Sequence, residues 1–326
     1  MSSHPARLTL AVSDYDHVRD LTAGRVTAEG IELTCLQLPV EEIFFRFTAF
    51  REWHVSELSL TKFVAMAGGG DESVAAIPVF PSRVFRHSSI YVARDGPVRE
   101  AADLAGARVG VPEWFQTAGV WARGLLVHEF GLDLAEMRWV QAGVRQAGRQ
   151  EQFTPPADLS ITVVPDRSLT ELLLAGDLDA IITAHPPPTA DGRIVPLFPD
   201  AAEREREWHR RTGIYPIMHV IVLRRDVLDE HPWAAANLYR AFVEARDRSL
   251  ARVTDLNASR FPVPWLPDYA TQMAQAFQGD PFPYGIEPNR PTLETFLAYA
   301  HEQGITPHPL TVEALFPPSV RRQYRI

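Results

Sequence analysis

Apolar and polar residues alternate in short runs along the first 94 residues, and these runs predict strands separated by helices. Leu8–Val12 shows the period of two that is typical of a half-buried strand. In Glu41–Arg51 the apolar residues Ile43, Phe44 and Phe47 share one helical face. Similar apolar runs predict further strands at Ile31–Leu38, Val55–Leu60, Val74–Phe80 and Ser88–Ala93.

The same rhythm begins again after about residue 94. A helix is predicted from Thr117 to His128, with Gly131 closing it, and another at Ser168–Ala175. From Pro232 onward the pattern is helical, with prolines interrupting it. Strands are predicted at Arg108–Val111, Arg138–Gln141, Leu178–Thr183 and Ile217–Leu223. Alternating strands and helices indicate an α/β fold with a mainly parallel sheet.

Two such blocks, followed by a helical C-terminal segment, predict a two-lobed chain that crosses back to its first lobe. We assign residues 1–92 and 220–326 to one lobe and residues 93–219 to the other. Ser88–Ala93 and Ile217–Leu223 are the predicted crossover strands. Ligands of open α/β sheets bind beyond the carboxyl ends of strands and often between domains, so a cleft between the lobes is the expected ligand site.

Composition narrows the class of partner. The 326 residues include 46% hydrophobic and 22% charged residues and carry a net charge of -9, which argues against nucleic acid as a partner. No run approaches the roughly 20 apolar residues of a membrane helix, and no secretion signal stands at the start, so a cytoplasmic location is expected. A single cysteine, Cys35, rules out an internal disulfide and a thiolate metal cluster.

The segment Ser82–Val92 holds the densest candidate chemistry. Arg83, Arg86 and His87 stand within five residues and lead into an apolar strand. An arginine fork matches a carboxylate, and histidine titrates near neutral pH, so anion binding and proton transfer are predicted side by side. The alternative interpretation is a solvated basic entrance to a strand, because structural ion pairs also group these residues.

Other candidates follow predicted strands. His17, with Tyr15 beside it, lies in a polar loop after the first strand, and His185 follows the buried strand Leu178–Thr183. His219 lies within an apolar run, where a core histidine is the ordinary alternative. Each histidine is a candidate acid or base.

Candidate ligand contacts complete the set. Trp114 is a candidate wall for an aromatic ring, and Thr117 opens a helix whose N-terminus suits a carboxylate, although helix capping alone would explain it. Tyr215 and Glu287 are further candidates, Glu287 within a turn that glycine and proline also explain. No dinucleotide, nucleoside triphosphate, zinc-protease or serine-hydrolase motif is present.

Several strings resemble the 4,5-dihydroxyphthalate decarboxylase family over about residues 8–320. These strings are SDYDHVRDL, SRVFRHSSIYV, QTAGVWARGLL, YPIMHVIVLR and DPFPYGIEPNRPTLETFLAYAHEQG. Phe282 stands where the family pattern leads us to expect tryptophan. The resemblance implies a type II periplasmic-binding-protein-like fold with two crossover strands, and non-oxidative decarboxylation of 4,5-dihydroxyphthalate to protocatechuate in phthalate breakdown.

The resemblance also implies roles. Arg83 and Arg86 would clamp carboxylates, His87 or His219 would donate a proton to the ring, and His17 or His185 would be the base for the phenol. The remaining implied substrate contacts are Tyr15, Trp114, Thr117, Tyr215 and Glu287.

Two alternatives to this function stay open: a receptor-like protein that binds a small aromatic carboxylate without chemistry, and a family decarboxylase for another hydroxybenzoate. No metal site and no cofactor are expected, although the sequence does not exclude a divalent metal. The expected partner is the small aromatic carboxylate substrate, without nucleic acid or membrane, and a homo-oligomer is left open.

Overall fold

The computed structural model describes residues 4–148, 159–188, 192–255, 257–258 and 260–321. The strands are β1 (Ala6–Val12), β2 (Ile31–Gln37), β3 (Val55–Ser59), β4 (Val74–Arg83), β5 (Ile90–Ala93), β6 (Arg108–Val111), β7 (Arg138–Gln141), β8 (Ile161–Val163), β9 (Ala180–Ile182), β10 (Ile194–Pro196) and β11 (Ile217–Arg224). The helices are α1 (Arg19–Thr22), α2 (Val40–Phe50), α3 (Leu60–Gly68), α4 (Thr117–Phe130), α5 (Leu169–Leu174), α6 (Ala201–Thr212), α7 (Arg225–Glu230), α8 (Ala234–Val253), α9 (Leu266–Ala276), α10 (Arg290–Glu302), α11 (Val312–Leu315) and α12 (Pro318–Arg321). Short 3-10 turns lie at His87–Ser89, Ala101–Leu104 and Glu287–Asn289.

The chain forms two compact units. The first comprises Met1–Arg83, Ile217–Leu293 and Thr311–Ile326, and the second comprises Val84–Pro216 and Glu294–Leu310. The chain changes unit at the ends of β4 and β11 because these two strands pair with each other as far as Arg83 and Ile217. The division therefore differs from the one expected from sequence at residues 84–92, 217–219 and 294–310. The ligand cleft expected between two lobes stays a prediction.

The sheet of the first unit has the strand order β2-β1-β3-β11-β4. β1 is parallel to β2 and β3, whereas β11 is antiparallel to both of its neighbours. This sheet is therefore mixed, not mainly parallel, because β11 enters it when the chain returns from the second unit. One consequence matters for function: the carboxyl ends of β1, β3 and β4 lie at the same edge as the amino end of β11.

The sheet of the second unit has the order β10-β5-β9-β6-β7-β8. β9, β6, β7 and β8 run parallel, and β5 lies antiparallel between β9 and β10. The predicted crossover strand Ser88–Ala93 instead belongs to this sheet as β5, and a 3-10 turn occupies its first residues. The sequence could not show whether this strand crosses between the units or lies within one sheet. An apolar run predicts a strand but not the sheet to which the strand belongs.

Helix α4 is the central helix of the second unit. All ten residues from Thr117 to Leu126 are buried, and Gly131 ends the helix with a φ of 66°. Gly124 allows close approach of α10, because a Cβ there would lie 2.0 Å from Cδ2 of Tyr299. Leu169, Leu173 and Ile181 belong to a separate apolar cluster of this unit.

None of the helices in the described ranges combines the length and the apolar composition that crossing a bilayer requires. Cys35 lies half-buried on β2 as a free thiol.

Candidate functional site

The loop that follows β1 folds onto a single carboxylate. The backbone N–H of Ser13 donates to Oε2 of Glu57 at 2.8 Å, and the Tyr15 hydroxyl donates to Oε1 at 2.7 Å. Glu57 lies in the middle of β3, next to β1 in the sheet. The polar residues after β1 are thus held against the neighbouring strand, not spread into solvent.

Glu57 also binds the histidine of the returning strand. Its side chain is fully buried, and Oε1 lies 2.6 Å from Nδ1 of His219 on β11. The carboxylate therefore accepts hydrogen bonds from a backbone amide, a phenol and an imidazole, which provides the partners that a buried charge needs. We call Ser13, Tyr15, Glu57 and His219 the Glu57 cluster.

The cluster orients both side chains that contact Glu57. Burial, and then the negative charge of Glu57, raise the pKa of Tyr15 well above its ordinary value, so its phenol stays protonated and donates. The Glu57 carboxylate accepts a hydrogen bond from Nδ1–H of His219. Nε2 is therefore the nitrogen of this ring that can exchange a proton with a ligand. The side chain of His219 is 17% exposed, and Phe44 packs edge-on against its ring at 4.9 Å between centroids.

His17 lies beside this cluster in a ring of aromatic side chains. Its centroid is 4.7 Å from that of Phe282 and 5.3 Å from that of Tyr15. Burial lowers the pKa of His17 to about 4, with a weaker opposing effect from a hydrogen bond to the backbone of Pro81. The imidazole is therefore neutral at pH 7, and its buried Nε2 has no hydrogen-bond partner among the described residues.

Arg83, at the end of β4, is fastened to the segment that carries Phe282. Its Nη2 donates to the carbonyl oxygen of Pro283 at 2.7 Å and to Oδ1 of Asn289. Nδ2 of Asn289 donates to the carbonyl oxygen of Gly285 at 2.8 Å. These acceptors hold the guanidinium in place, and the group lies 5.7 Å from the centre of the Phe282 ring.

The other half of the basic segment belongs to the second unit. His87 is 4% exposed, and its Nδ1 lies 4.0 Å from Oε1 of Glu205, too far for a hydrogen bond. Burial lowers the pKa of His87 to about 4 and raises the pKa of Glu205. Nη1 of Arg86 donates weakly to Oγ of Ser89 at 3.4 Å, and burial lowers the pKa of Arg86 to about 10. Sequence neighbours thus separate into two environments.

Trp114 and Thr117 occupy core positions of the second unit. Trp114 is fully buried, its Nε1 donates to the carbonyl oxygen of Gln303 at 2.9 Å, and the Arg123 guanidinium lies 3.7 Å from its ring centre. Trp114 is therefore part of the core of this unit, and its expected role as a wall for an aromatic ring stays a prediction. Thr117 is the buried first residue of α4, and Gln116 holds the N-cap position that we considered for Thr117.

The remaining sequence candidates are described within the unit to which each belongs. In the second unit, Tyr215 stacks on Phe85 at 4.9 Å, and His185 is exposed after β9. In the first unit, Glu287 is exposed and forms an ion pair with Arg290 at 2.7 Å. The structure therefore brings Tyr15, His17 and His219 together, and it does not place Glu287 with them.

Comparison with known proteins shows to which family the whole chain is related. No family model matches it. A curated 4,5-dihydroxyphthalate decarboxylase of Comamonas testosteroni is 32% identical over 326 residues, which cover 98% of this chain and 99% of that protein. The chain belongs to the 4,5-dihydroxyphthalate decarboxylase family. A second curated protein of that name, from Pseudomonas putida, is 35% identical over 209 residues, 62% of this chain and 81% of the relative.

The fold expectation is confirmed as well. The periplasmic aliphatic sulphonate binding protein SsuA from Escherichia coli matches 97% of this chain and 99% of its own with a TM-score of 0.54. At 13% identity this likeness concerns the fold alone. The family member therefore has the two-lobed α/β fold of type II periplasmic binding proteins that the resemblance implied.

Ser13 and Glu57 of the Glu57 cluster were not predicted from the sequence. Glu57 stands alone as a charge in the strand Val55–Ser59, and a carboxylate in an apolar run is itself a signal, because such a group requires partners. Tyr284 lies in a string typical of the family but was not distinguished from its neighbours. Among the residues that the structure describes, no group of three or more His, Cys, Asp or Glu side chains is placed to hold a metal ion.

Proposed function

We propose that this family member catalyses the non-oxidative decarboxylation of a dihydroxylated aromatic dicarboxylic acid, most specifically of 4,5-dihydroxyphthalate to protocatechuate and CO2. The observation that carries the proposal is the Glu57 cluster, a buried carboxylate bonded to a histidine and a tyrosine. The relative from Comamonas testosteroni is named for this activity, and its similarity to this chain extends over nearly the full length of both.

The reaction requires a proton donor at the ring carbon that carries the leaving carboxylate. A new C–H bond forms there, the bond from that carbon to the carboxylate breaks, and its electron pair returns to the ring as CO2 leaves. A hydroxyl para to this carbon supplies electron density to the protonated ring. One proton is consumed in each turnover, so the acid must be recharged from solvent.

His219 is the proposed acid. Glu57 holds Nδ1 and so fixes the ring orientation, which makes Nε2 the nitrogen that would deliver a proton to the substrate from the imidazolium form. The side chain is partly exposed, which permits recharging. His87, the alternative acid, is buried with a lowered pKa and is therefore neutral and without a proton to spare at pH 7.

His17 is the proposed partner of the phenol. Its neutral ring can accept a hydrogen bond at Nε2 and thereby increase the electron density of the aromatic ring. With a pKa of about 4 it is too weak a base to remove the phenol proton completely, so the proposed role is acceptance of a hydrogen bond. His185, the alternative, is an exposed residue of the second unit.

Arg83 is the proposed carboxylate contact of the first unit. Its bonds to Pro283 and Asn289 preorganise the guanidinium, and they do so with neutral acceptors. A preorganised cation stabilises an anionic ligand more than a mobile one does. Arg86, Tyr215 and Thr117 stay proposed ligand contacts of the second unit.

Direct assay tests the proposal. Purified, chelator-treated protein is incubated with 4,5-dihydroxyphthalate while CO2 and protocatechuate are quantified. We expect equal amounts of both products. Saturable binding without CO2 would support a receptor without chemistry, and neither binding nor turnover would indicate another hydroxybenzoate. Adding divalent metal back to the chelated protein tests whether a metal takes part.

A further inference from the structure

Tyr284 carries a buried hydroxyl that has no hydrogen-bond partner among the described residues. The residue is 2% exposed, and its phenolic oxygen has no hydrogen bond to any of the described residues. A buried tyrosine hydroxyl is normally paired, because leaving it unpaired costs free energy. A hydroxyl that the protein itself leaves unpaired points to a polar group supplied by a ligand.

A second unpaired polar atom lies in the same aromatic group. The ring centroid of His17 is 6.5 Å from that of Tyr284, with the rings nearly edge to face, and Nε2 of His17 is also buried and unpaired within the described chain. Phe282 packs against both rings, at 4.7 Å and 6.2 Å. Tyr15 connects His17 to the Glu57 cluster.

The two atoms have opposite hydrogen-bonding capacities. Burial raises the pKa of Tyr284, so its hydroxyl remains a donor, and burial lowers the pKa of His17, so its Nε2 offers a lone pair. A carboxylate only accepts hydrogen bonds and would leave the Nε2 lone pair unsatisfied, whereas an ammonium group only donates them and would leave the Tyr284 O–H proton without an acceptor. A hydroxyl group does both and satisfies the pair.

We infer that one phenolic hydroxyl of the aromatic ligand accepts a hydrogen bond from Tyr284 and donates one to His17. Tyr284 is then the residue that makes binding affinity depend on that hydroxyl. The choice of a hydroxylated benzoate as ligand rests on the proposed function. The pairing itself rests on the two unpaired atoms and on the rings that enclose them.

The test compares ligands that differ only in hydroxyl groups. The probes are 3,4-dihydroxybenzoate, 4-hydroxybenzoate, 3-hydroxybenzoate and benzoate, titrated calorimetrically into wild type and Tyr284→Phe. We expect the variant to lose about tenfold in affinity for 3,4-dihydroxybenzoate and for one of the two monohydroxybenzoates, and nothing for benzoate. Tyr299→Phe, a matched change at a buried tyrosine of the second unit, leaves all four affinities unchanged.

Thermal unfolding supplies a readout that a merely structural hydroxyl would not give. Because the Tyr284 hydroxyl has no partner in the described part of the chain, we expect its removal to leave the Tm unchanged or to raise it, whereas loss of a bonded hydroxyl lowers the Tm. His17→Asn combined with Tyr284→Phe should cost less affinity than the sum of the single changes, because both side chains bind one group.

Three outcomes overturn the inference: the same ligand preference in Tyr284→Phe as in wild type, an equal loss for benzoate, or no binding of any of the four probes to wild type. The proposed reaction fails independently of these. If wild type releases no CO2 from 4,5-dihydroxyphthalate but Tyr284→Phe loses the hydroxyl preference, the reaction is wrong and the inference stands. If CO2 is released and the variant keeps the preference, the reverse holds.

Discussion

Each of the two units has a histidine near a glutamate, and the contacts of the two pairs differ. In the first unit, Nδ1 of His219 lies 2.6 Å from Glu57, which also receives two further hydrogen bonds. In the second unit, His87 and Glu205 stay 4.0 Å apart, and the facing atoms of both have no partner among the described residues. Residue types alone therefore do not define a catalytic pair; the hydrogen bonds around them do.

The largest effect that tests this contrast is removal of the proposed acid. We expect His219→Gln to lower kcat by at least about a hundredfold, roughly 3 kcal/mol of transition-state stabilisation, because the other side chain that donates to Glu57, the Tyr15 phenol with its raised pKa, is a far weaker acid. Steady-state release of CO2 measures it. His87→Gln is the matched control and should keep kcat within about threefold; a larger loss in His87→Gln than in His219→Gln would reverse the assignment.

The next effect concerns the residue that positions His219. Glu57→Gln keeps the shape of the side chain but offers one acceptor oxygen to three donors, so His219 loses its fixed orientation. We expect kcat to fall by ten- to a hundredfold with little change in KM, about 2 kcal/mol. A changed pH profile of kcat separates this from simple loss of folded protein. An unaltered profile together with a full kcat would show that Glu57 has only a structural role.

The pH dependence of stability tests the second unit. Burial lowers the pKa of His87 from 6.5 to about 4, so the unfolded chain binds a proton that the folded chain does not between these values. Stability is therefore complete above about pH 6.5 and is lost as the pH falls toward 4. His87→Gln should remove about 2 kcal/mol of the loss between about pH 7.5 and pH 5 in urea unfolding.

His17 titrates in the same direction, so the variant should keep the remaining part of the loss. An unfolding free energy with the same pH slope in wild type and His87→Gln would contradict the buried, neutral state of His87.

The smallest effect is expected at Tyr15. Tyr15→Phe removes one of the hydrogen bonds to Glu57 and leaves the bonds from Ser13 and His219. We expect a two- to tenfold loss of kcat, about 1 kcal/mol, because a neutral donor to a carboxylate contributes about that much. Single-turnover measurement of protocatechuate checks it. A loss as large as that of His219→Gln would mean that Tyr15, not His219, delivers the proton.

Local patterns predicted the elements of the fold well. β6 and β7 lie at the predicted bounds, and α4 begins at Thr117 and is closed by Gly131 as expected. These features depend on residues close in sequence. The three-residue strands β8 and β10 were missed because so few residues show no period.

The site was predicted only in part, because its decisive contact is distant in sequence. Glu57 and His219 are separated by 162 residues, and the local sequence of neither strand predicts the contact between them. The segment 83–87 was predicted as one site because it holds three basic side chains. The boundary between the units, however, passes through it after Arg83. The burial of Trp114 was not predicted either, because the sequence does not distinguish an aromatic residue beside a loop from one in a core.

The place of β11 in the sheet has a consequence for how the protein is made. β11 separates β3 from β4, and it is translated only after the whole stretch Val84–Pro216 has been synthesised. Until then the nascent chain holds β3 and β4 with unsatisfied strand edges, which are prone to pair with other chains. Synthesis of the second unit thus sets the delay before the first can close, and no shorter N-terminal fragment can assemble Glu57 with His219.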